Sequence, residues 1–190
     1  MRLRAGTLHE RIPATALGAA KIVHDTPDEF TRLRARWDGQ PLYAQTYTRL
    51  FIDGDLWMTD AEFECDTNAD VVNKAYGNIL IAGLGLGLIL GPMLAMGDVQ
   101  SVTVLERSSD VIALVGPLYQ SPKLTIIEAD VHTWTPPKKA YNFIYFDIWA
   151  NVPNEDNKPE IKALKKRYRS ALKAGGRTAA WCENYRGRWS

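Results

Sequence analysis

The sequence predicts an α/β protein in which a parallel sheet, covered by helices on both faces, follows a small β-rich segment. Three observations carry this expectation. From residue 78 onward, short and almost uniformly apolar runs alternate with helix-like stretches, the pattern of strands buried on both faces. The first of these runs, residues 78–82, ends in glycines at alternate positions: Gly83, Gly85 and Gly87. Before residue 75 the chain is aromatic and strand-like instead, and an Asp-Gly pair joins two apolar runs.

Taken in order, the first twenty residues show no periodic pattern, and residues 21–23 read as a short strand. Thr26-Pro27-Asp28-Glu29 is a helix start, with Phe30, Leu33 and Trp37 on one face and Gly39 as the stop. Tyr43, Tyr47 and Trp57 are expected to pack the β segment, which turns at Asp53-Gly54. The chain then divides into residues 1–75 and 76–190. A strand over 78–82 leads into a helix over 86–96, closed by Gly97-Asp98. A strand over 101–105 is followed by a short helix, capped by Ser108 or Ser109 and ended by Gly116-Pro117. Strands over 124–128 and 141–146 flank a loop at Pro136-Pro137. A helix over 158–173 stops at Gly175-Gly176, and a fifth strand covers 177–182.

The bulk composition bounds the function classes. The chain has 190 residues, 46% hydrophobic and 24% charged, the make-up of an ordinary globular protein with one full core. A net charge of +1 gives no strong field toward nucleic acid or anionic lipid. Cys65 and Cys182 read as two reduced thiols rather than a disulfide framework or a zinc cluster. His9, His24 and His132 have no ligand spacing, so no metal is expected. The most apolar run, 79–96, is broken by glycines and Pro92, and the N-terminus lacks the pattern of a signal peptide. A cytoplasmic protein with no membrane partner is the expectation. Lys158, Lys162, Lys165, Lys166, Arg167, Arg169 and Lys173 read as a solvated helix face; the sharper alternative is a phosphate-binding face, which Arg186-Gly187-Arg188-Trp189 would extend.

In an open α/β sheet the ligand lies beyond the carboxyl ends of the strands, so the residues that end each strand carry the chemistry. The first strand ends in the glycine turn, where backbone is bare and a helix N-terminus follows. The second ends in Glu106, at the spacing of a carboxylate that accepts from both hydroxyls of a ribose. The third ends in Glu128-Ala129-Asp130, placing Asp130 to meet an exocyclic amine and Val131 to pack on a ring. The fourth ends in Asp147, at the mouth of the site, followed by Trp149, which offers a stacking surface for a substrate. The glycine spacing is Gly-x-Gly-x-Gly rather than the Gly-x-Gly-x-x-Gly of dinucleotide folds.

These four strand ends resemble the class I S-adenosylmethionine-dependent methyltransferase fold over about residues 76–183. The resemblance implies that Gly83, Gly85 and Gly87 wrap the amino-acid part of the cofactor, that Glu106 holds the ribose and that Asp130 meets the adenine. Residues 49–63, with Asp53-Gly54 and the acidic Asp60-Ala61-Glu62-Phe63, look like the segment ahead of the nucleotide-binding half of spermidine synthases. That likeness implies a small N-terminal β-domain and a Rossmann-like sheet. It also implies a C-terminally shortened sheet, because that family has two further strands after the fifth. Three positions depart from the spermidine synthase pattern. Leu86 stands where the glycine turn carries an aspartate, the loop after Asp147 lacks a second acid, and Cys65-Asp66-Thr67-Asn68 replaces a Tyr-His-Glu stretch.

The expected function is an S-adenosylmethionine-binding transferase, a methyltransferase of unnamed acceptor, with Asp147 orienting or deprotonating the nucleophile. Aminopropyl transfer from decarboxylated S-adenosylmethionine is the alternative, and an inactive cofactor- or partner-binding relative is a third reading. That third reading predicts binding without turnover and a homodimer through an exposed sheet edge. Nucleic acid is disfavoured as a partner, because the strand-four loop has neither an Asn/Asp-Pro-Pro-aromatic motif nor a Pro-Cys nucleophile.

Overall fold

The computed structural model describes residues 3–183, so the basic stretch at 186–189 lies outside the described residues. The described residues form two sheets. The first is antiparallel, with β1 (Thr15–Leu17), β2 (Ala20–Asp25), β3 (Tyr47–Ile52) and β4 (Asp55–Thr59) side by side in chain order. Asp53 and Gly54 join β3 to β4 with φ of 53° and 88°. Two left-handed residues give a turn whose twist matches a hairpin, which is why Asp-Gly marks the spot in sequence.

Helix α1 (Glu29–Trp37) starts where expected, with the Asp28 carboxylate accepting from the Thr31 N–H at 2.7 Å. Its apolar residues do share a face, but that face meets solvent: Phe30, Leu33 and Trp37 are 73%, 55% and 80% exposed. Helix α2 (Glu62–Lys74) has no clear sequence signal, because a polar residue interrupts its buried stripe. Asn68 is fully buried there, and its Oδ1 accepts from the Tyr145 hydroxyl at 2.9 Å.

The second sheet contains β5 (Gly77–Ala82), β6 (Val99–Glu106), β7 (Leu124–Glu128), β8 (Tyr141–Phe146) and β9 (Leu172–Ala180). All its pairings are parallel, in the order β7-β6-β5-β8-β9. Alternation along β5 feeds two cores. Ile79 and Ile81 pack with α2, α3 (Leu90–Ala95) and α4 (Ser109–Val115), while Leu80 and Ala82 pack with Ile161, Leu164 and Tyr168 of α5 (Lys158–Tyr168). Strand order reverses between β5 and β8, which opens a crevice at their carboxyl ends.

Two boundaries differ from the sequence expectation. The helix after the glycine turn is α3 alone, Leu90–Ala95, because residues 83–89 are spent on turns with three glycines at positive φ. No long helix N-terminus therefore abuts Gly83. At the other end, α5 stops at Tyr168 and β9 begins at Leu172. Gly175, at φ +76°, lies inside β9, and the pairing register with β8 shifts between Tyr141 and Phe143. The glycine pair marks a bulge in a strand, not the end of a helix.

Candidate active-site cleft

A cavity of about 220 Å³ occupies the crevice at the carboxyl ends of the parallel strands. Gly83, Gly85, Glu106, Asp130, Val131, Asp147 and Trp149 all line it. Seven of the eight residues singled out in sequence are thus brought together. The eighth, Gly87, does not line it and packs against Tyr119.

Glu106 ends β6 and is only 9% exposed. Its Oε2 accepts from the Leu84 N–H at 2.9 Å, and its Oε1 accepts from the Ser108 N–H at 2.8 Å. The carboxylate therefore bridges the glycine turn and the cap of α4. Each carboxylate oxygen has two lone pairs, so each retains capacity for one further donor in the cleft. Asp130 follows β7, and its Oδ1 accepts from the His132 N–H at 2.8 Å, fixing a tight turn. Val131 is buried beside it.

Asp147 follows β8, with its N–H bonded to Ala82 O at 2.8 Å. Protein encloses it except toward the cleft, and that burial pushes its carboxyl up to about 7. Glu64 on α2 is raised well above its ordinary value, first by burial and then by the charge of Asp147. The two acids sit close enough to repel, one lining the cleft and the other a second cavity beneath α1 and β4. Sequence reading missed Glu64, although it falls two residues after Glu62 in the acidic segment already noted.

The antiparallel sheet forms the facing wall. Leu50, Ile52, Trp57 and Met58 line the same cavity. The Arg107 guanidinium lies 5.3 Å over the Trp57 ring. Trp57 therefore packs against the core beside Leu50, as expected, and is also a wall of the cleft. Tyr47 is likewise fully buried as expected, whereas Tyr43 is 57% exposed.

The glycines have a structural reason nearer than any ligand. A Cβ on Gly83 would stand 2.0 Å from the Asp147 carbonyl oxygen, one on Gly85 2.4 Å from the Met58 sulfur, and one on Gly87 2.5 Å from the Tyr119 ring. The Leu86 N–H points at the Met58 sulfur at 3.2 Å, and the Leu86 carbonyl accepts from the Tyr119 hydroxyl at 2.8 Å. Leu86 itself is buried and turned away from the cleft.

Three further residues complete the rim. Glu160 of α5 accepts from the Trp149 indole N–H at 2.8 Å, and its other oxygen lies 3.3 Å from His132 Nε2. His132 and Glu160 line the cavity, as does Ile148.

No protein-family model matches the chain, and no curated protein matches it in sequence. Solved structures do. The spermidine synthase of Thermotoga maritima aligns over 89% of this chain and 56% of its own, with 17% identity and a TM-score of 0.55. A spermidine synthase in complex with the transition-state analogue AdoDATO aligns over 89% and 55%, again at 17% identity and 0.55. A S-adenosylmethionine-dependent methyltransferase of Leishmania major covers 60% of this chain and 47% of its own, at 17% identity and 0.48. The chain spans about half the length of the solved structures it matches. The antiparallel sheet, the parallel order β7-β6-β5-β8-β9 and the alignment across both sheets establish that this chain has the class I S-adenosylmethionine-dependent methyltransferase-like fold.

Proposed function

We propose that this protein is an S-adenosylmethionine-binding transferase, and that it transfers a methyl group. The observation that carries the reading is the disposition of carboxylates in the cleft. Glu106 is braced by two backbone N–H groups with lone pairs to spare, and Asp130 and Asp147 line the same cavity. A cationic ligand with two vicinal hydroxyls and an aromatic amine suits that set. Glu106 would accept from the ribose hydroxyls, Asp130 from the adenine amine, and Val131 would pack on the ring. The cofactor, when bound, supplies a methyl group already activated by its positive sulfur. The chain's contribution is then proximity and alignment. Asp147, poised near neutrality, would take a proton from the acceptor or hold its nucleophile in line.

Calorimetric titration with S-adenosylmethionine tests this. Micromolar binding that falls more in Glu106→Gln than in Asp147→Asn supports it, whereas equal losses or no binding to the wild type count against it.

A second reading, aminopropyl transfer from decarboxylated S-adenosylmethionine, is favoured by one observation. Glu64 and Asp147 form an acidic pair between the two cavities, and a cationic amine would let both ionise. Leu86 weighs the other way, since the glycine turn offers no acid for an aminopropyl group. Competition between the intact and decarboxylated cofactors separates the two. Stronger binding of the intact form favours methyl transfer.

A further inference from the structure

We propose that Glu160 is a positioning residue that fixes Trp149 and the loop after β7 as one rigid rim over the cofactor cleft. The proposal rests on the cofactor reading above only for its ligand; the arrangement itself is in the fold. Trp149 belongs to the loop after β8, and His132 to the turn after β7. These loops come from strands on opposite sides of β5 and β6, so backbone pairing does not join them. The single Glu160 carboxylate reaches both, one oxygen at 2.8 Å from the Trp149 indole nitrogen and the other at 3.3 Å from His132 Nε2.

Glu160 is part of a wider grip by α5. One turn pair further on, the Arg167 guanidinium donates to the carbonyls of Thr133 and Trp134 at 2.9 and 3.0 Å. The Tyr168 hydroxyl donates to the Val131 carbonyl at 2.8 Å. Positions 160, 167 and 168 share one side of the helix, because seven or eight residues make about two turns. The helix therefore holds residues 131–134 from below at three carbonyls, and Glu160 extends the same grip to Trp149. Trp149 packs against the core on the α5 face, and its one hydrogen-bond donor, held by Glu160, fixes how the half-buried ring is turned at the mouth. The rim so tied borders Asp130, Val131 and Asp147, the groups assigned to the adenine and the transfer step. A charged helix residue on a solvent-facing turn carries no sequence signal for this role.

Two measurements test the proposal. The first needs no ligand: the Trp149 indole N–H resonance, assigned with Trp149→Phe. In Glu160→Ala it should move and exchange faster with solvent, and in Glu160→Gln, which keeps an amide oxygen as acceptor, it should stay near the wild-type position. An unmoved resonance in Glu160→Ala overturns the tie. The second is the affinity for S-adenosylhomocysteine, read by calorimetry on variants with an unchanged melting temperature. Glu160→Ala should weaken it about tenfold, the scale of one hydrogen bond to a charged group, with Glu160→Gln much closer to the wild type. Wild-type affinity in Glu160→Ala overturns the positioning role. A wild type that fails to bind the probe overturns the cofactor reading instead, and the resonance test then judges the tie alone.

Discussion

Asp147 carries a carboxyl that the folded protein pushes up to about 7, against 3.8 for an exposed group. Between those values the folded chain keeps a proton that the unfolded chain releases. Stability contributed by this group is thus fully present below about pH 4 and is lost as pH rises through about 7. Asp147→Asn should flatten that slope. Urea melts at pH 5 and pH 8 check it, with the wild type losing more stability between them than the variant. Glu64 is shifted in the same direction, first by burial and then by the charge of Asp147, so Asp147→Asn should lower the pH at which Glu64 ionises. The same titration bears on ligand choice. Once ionised, Asp147 attracts a sulfonium but not a neutral thioether. Affinity for S-adenosylmethionine should therefore rise from pH 6 to pH 8 while that for S-adenosylhomocysteine stays level, and parallel profiles would remove Asp147 from the neighbourhood of the sulfur. Glu106 has a double task. In Glu106→Ala the N–H groups of Leu84 and Ser108 lose their acceptors, a cost of about 2 kcal/mol. Glu106→Gln keeps one acceptor and should melt nearer the wild type, so thermal melts beside calorimetry separate lost folding from lost binding.

Among the elements, the glycine turn is the least forgiving. Gly83→Ala combines a φ of +98° with a backbone oxygen 2.0 Å from the new carbon, and neither can relax cheaply. Gly97 has ordinary φ and open space around it. Gly83→Ala should cost about 3 kcal/mol or fail to fold, while Gly97→Ala stays within about 0.5 kcal/mol, as denaturant melts will show. The glycines were visible in sequence, but their nearest cause was not. The Asp147 carbonyl, the Met58 sulfur and the Tyr119 ring that crowd them come from distant parts of the chain. Local pattern read β7 and β8 to the residue, because short runs rich in β-branched or aromatic residues and bounded by turn residues read as strands. It overran α3, where turns spend seven residues before a helix can start, and it mistook a bulge in β9 for a helix stop. Helix α2 escaped it because Asn68 satisfies its polar group on Tyr145, 77 residues away. The strand-end acids were legible for a topological reason: a parallel sheet gathers them on one edge. Glu64, Glu160 and Trp57 were not, since the place of Glu64 beside the cleft and of Glu160 and Trp57 in it depends on how helices and the first sheet dock.

On the scale of the whole molecule, the antiparallel sheet is a wall of the cleft. Trp57 and Met58 face the glycine turn, and α2 brings Glu64 to Asp147. A chain restricted to residues 76–183 should therefore bind S-adenosylmethionine at least about tenfold more weakly than the full chain, measured by calorimetry on whatever remains monodisperse. Equal affinity would show that the parallel sheet alone makes the site. Two bonds involving α2, the buried Asn68–Tyr145 and the part-buried Thr67–Trp181, cross between the two sequence halves at 2.9 and 3.0 Å. Neither half can melt without stranding polar groups in the other, so heating should produce one calorimetric peak whose van't Hoff and measured enthalpies agree.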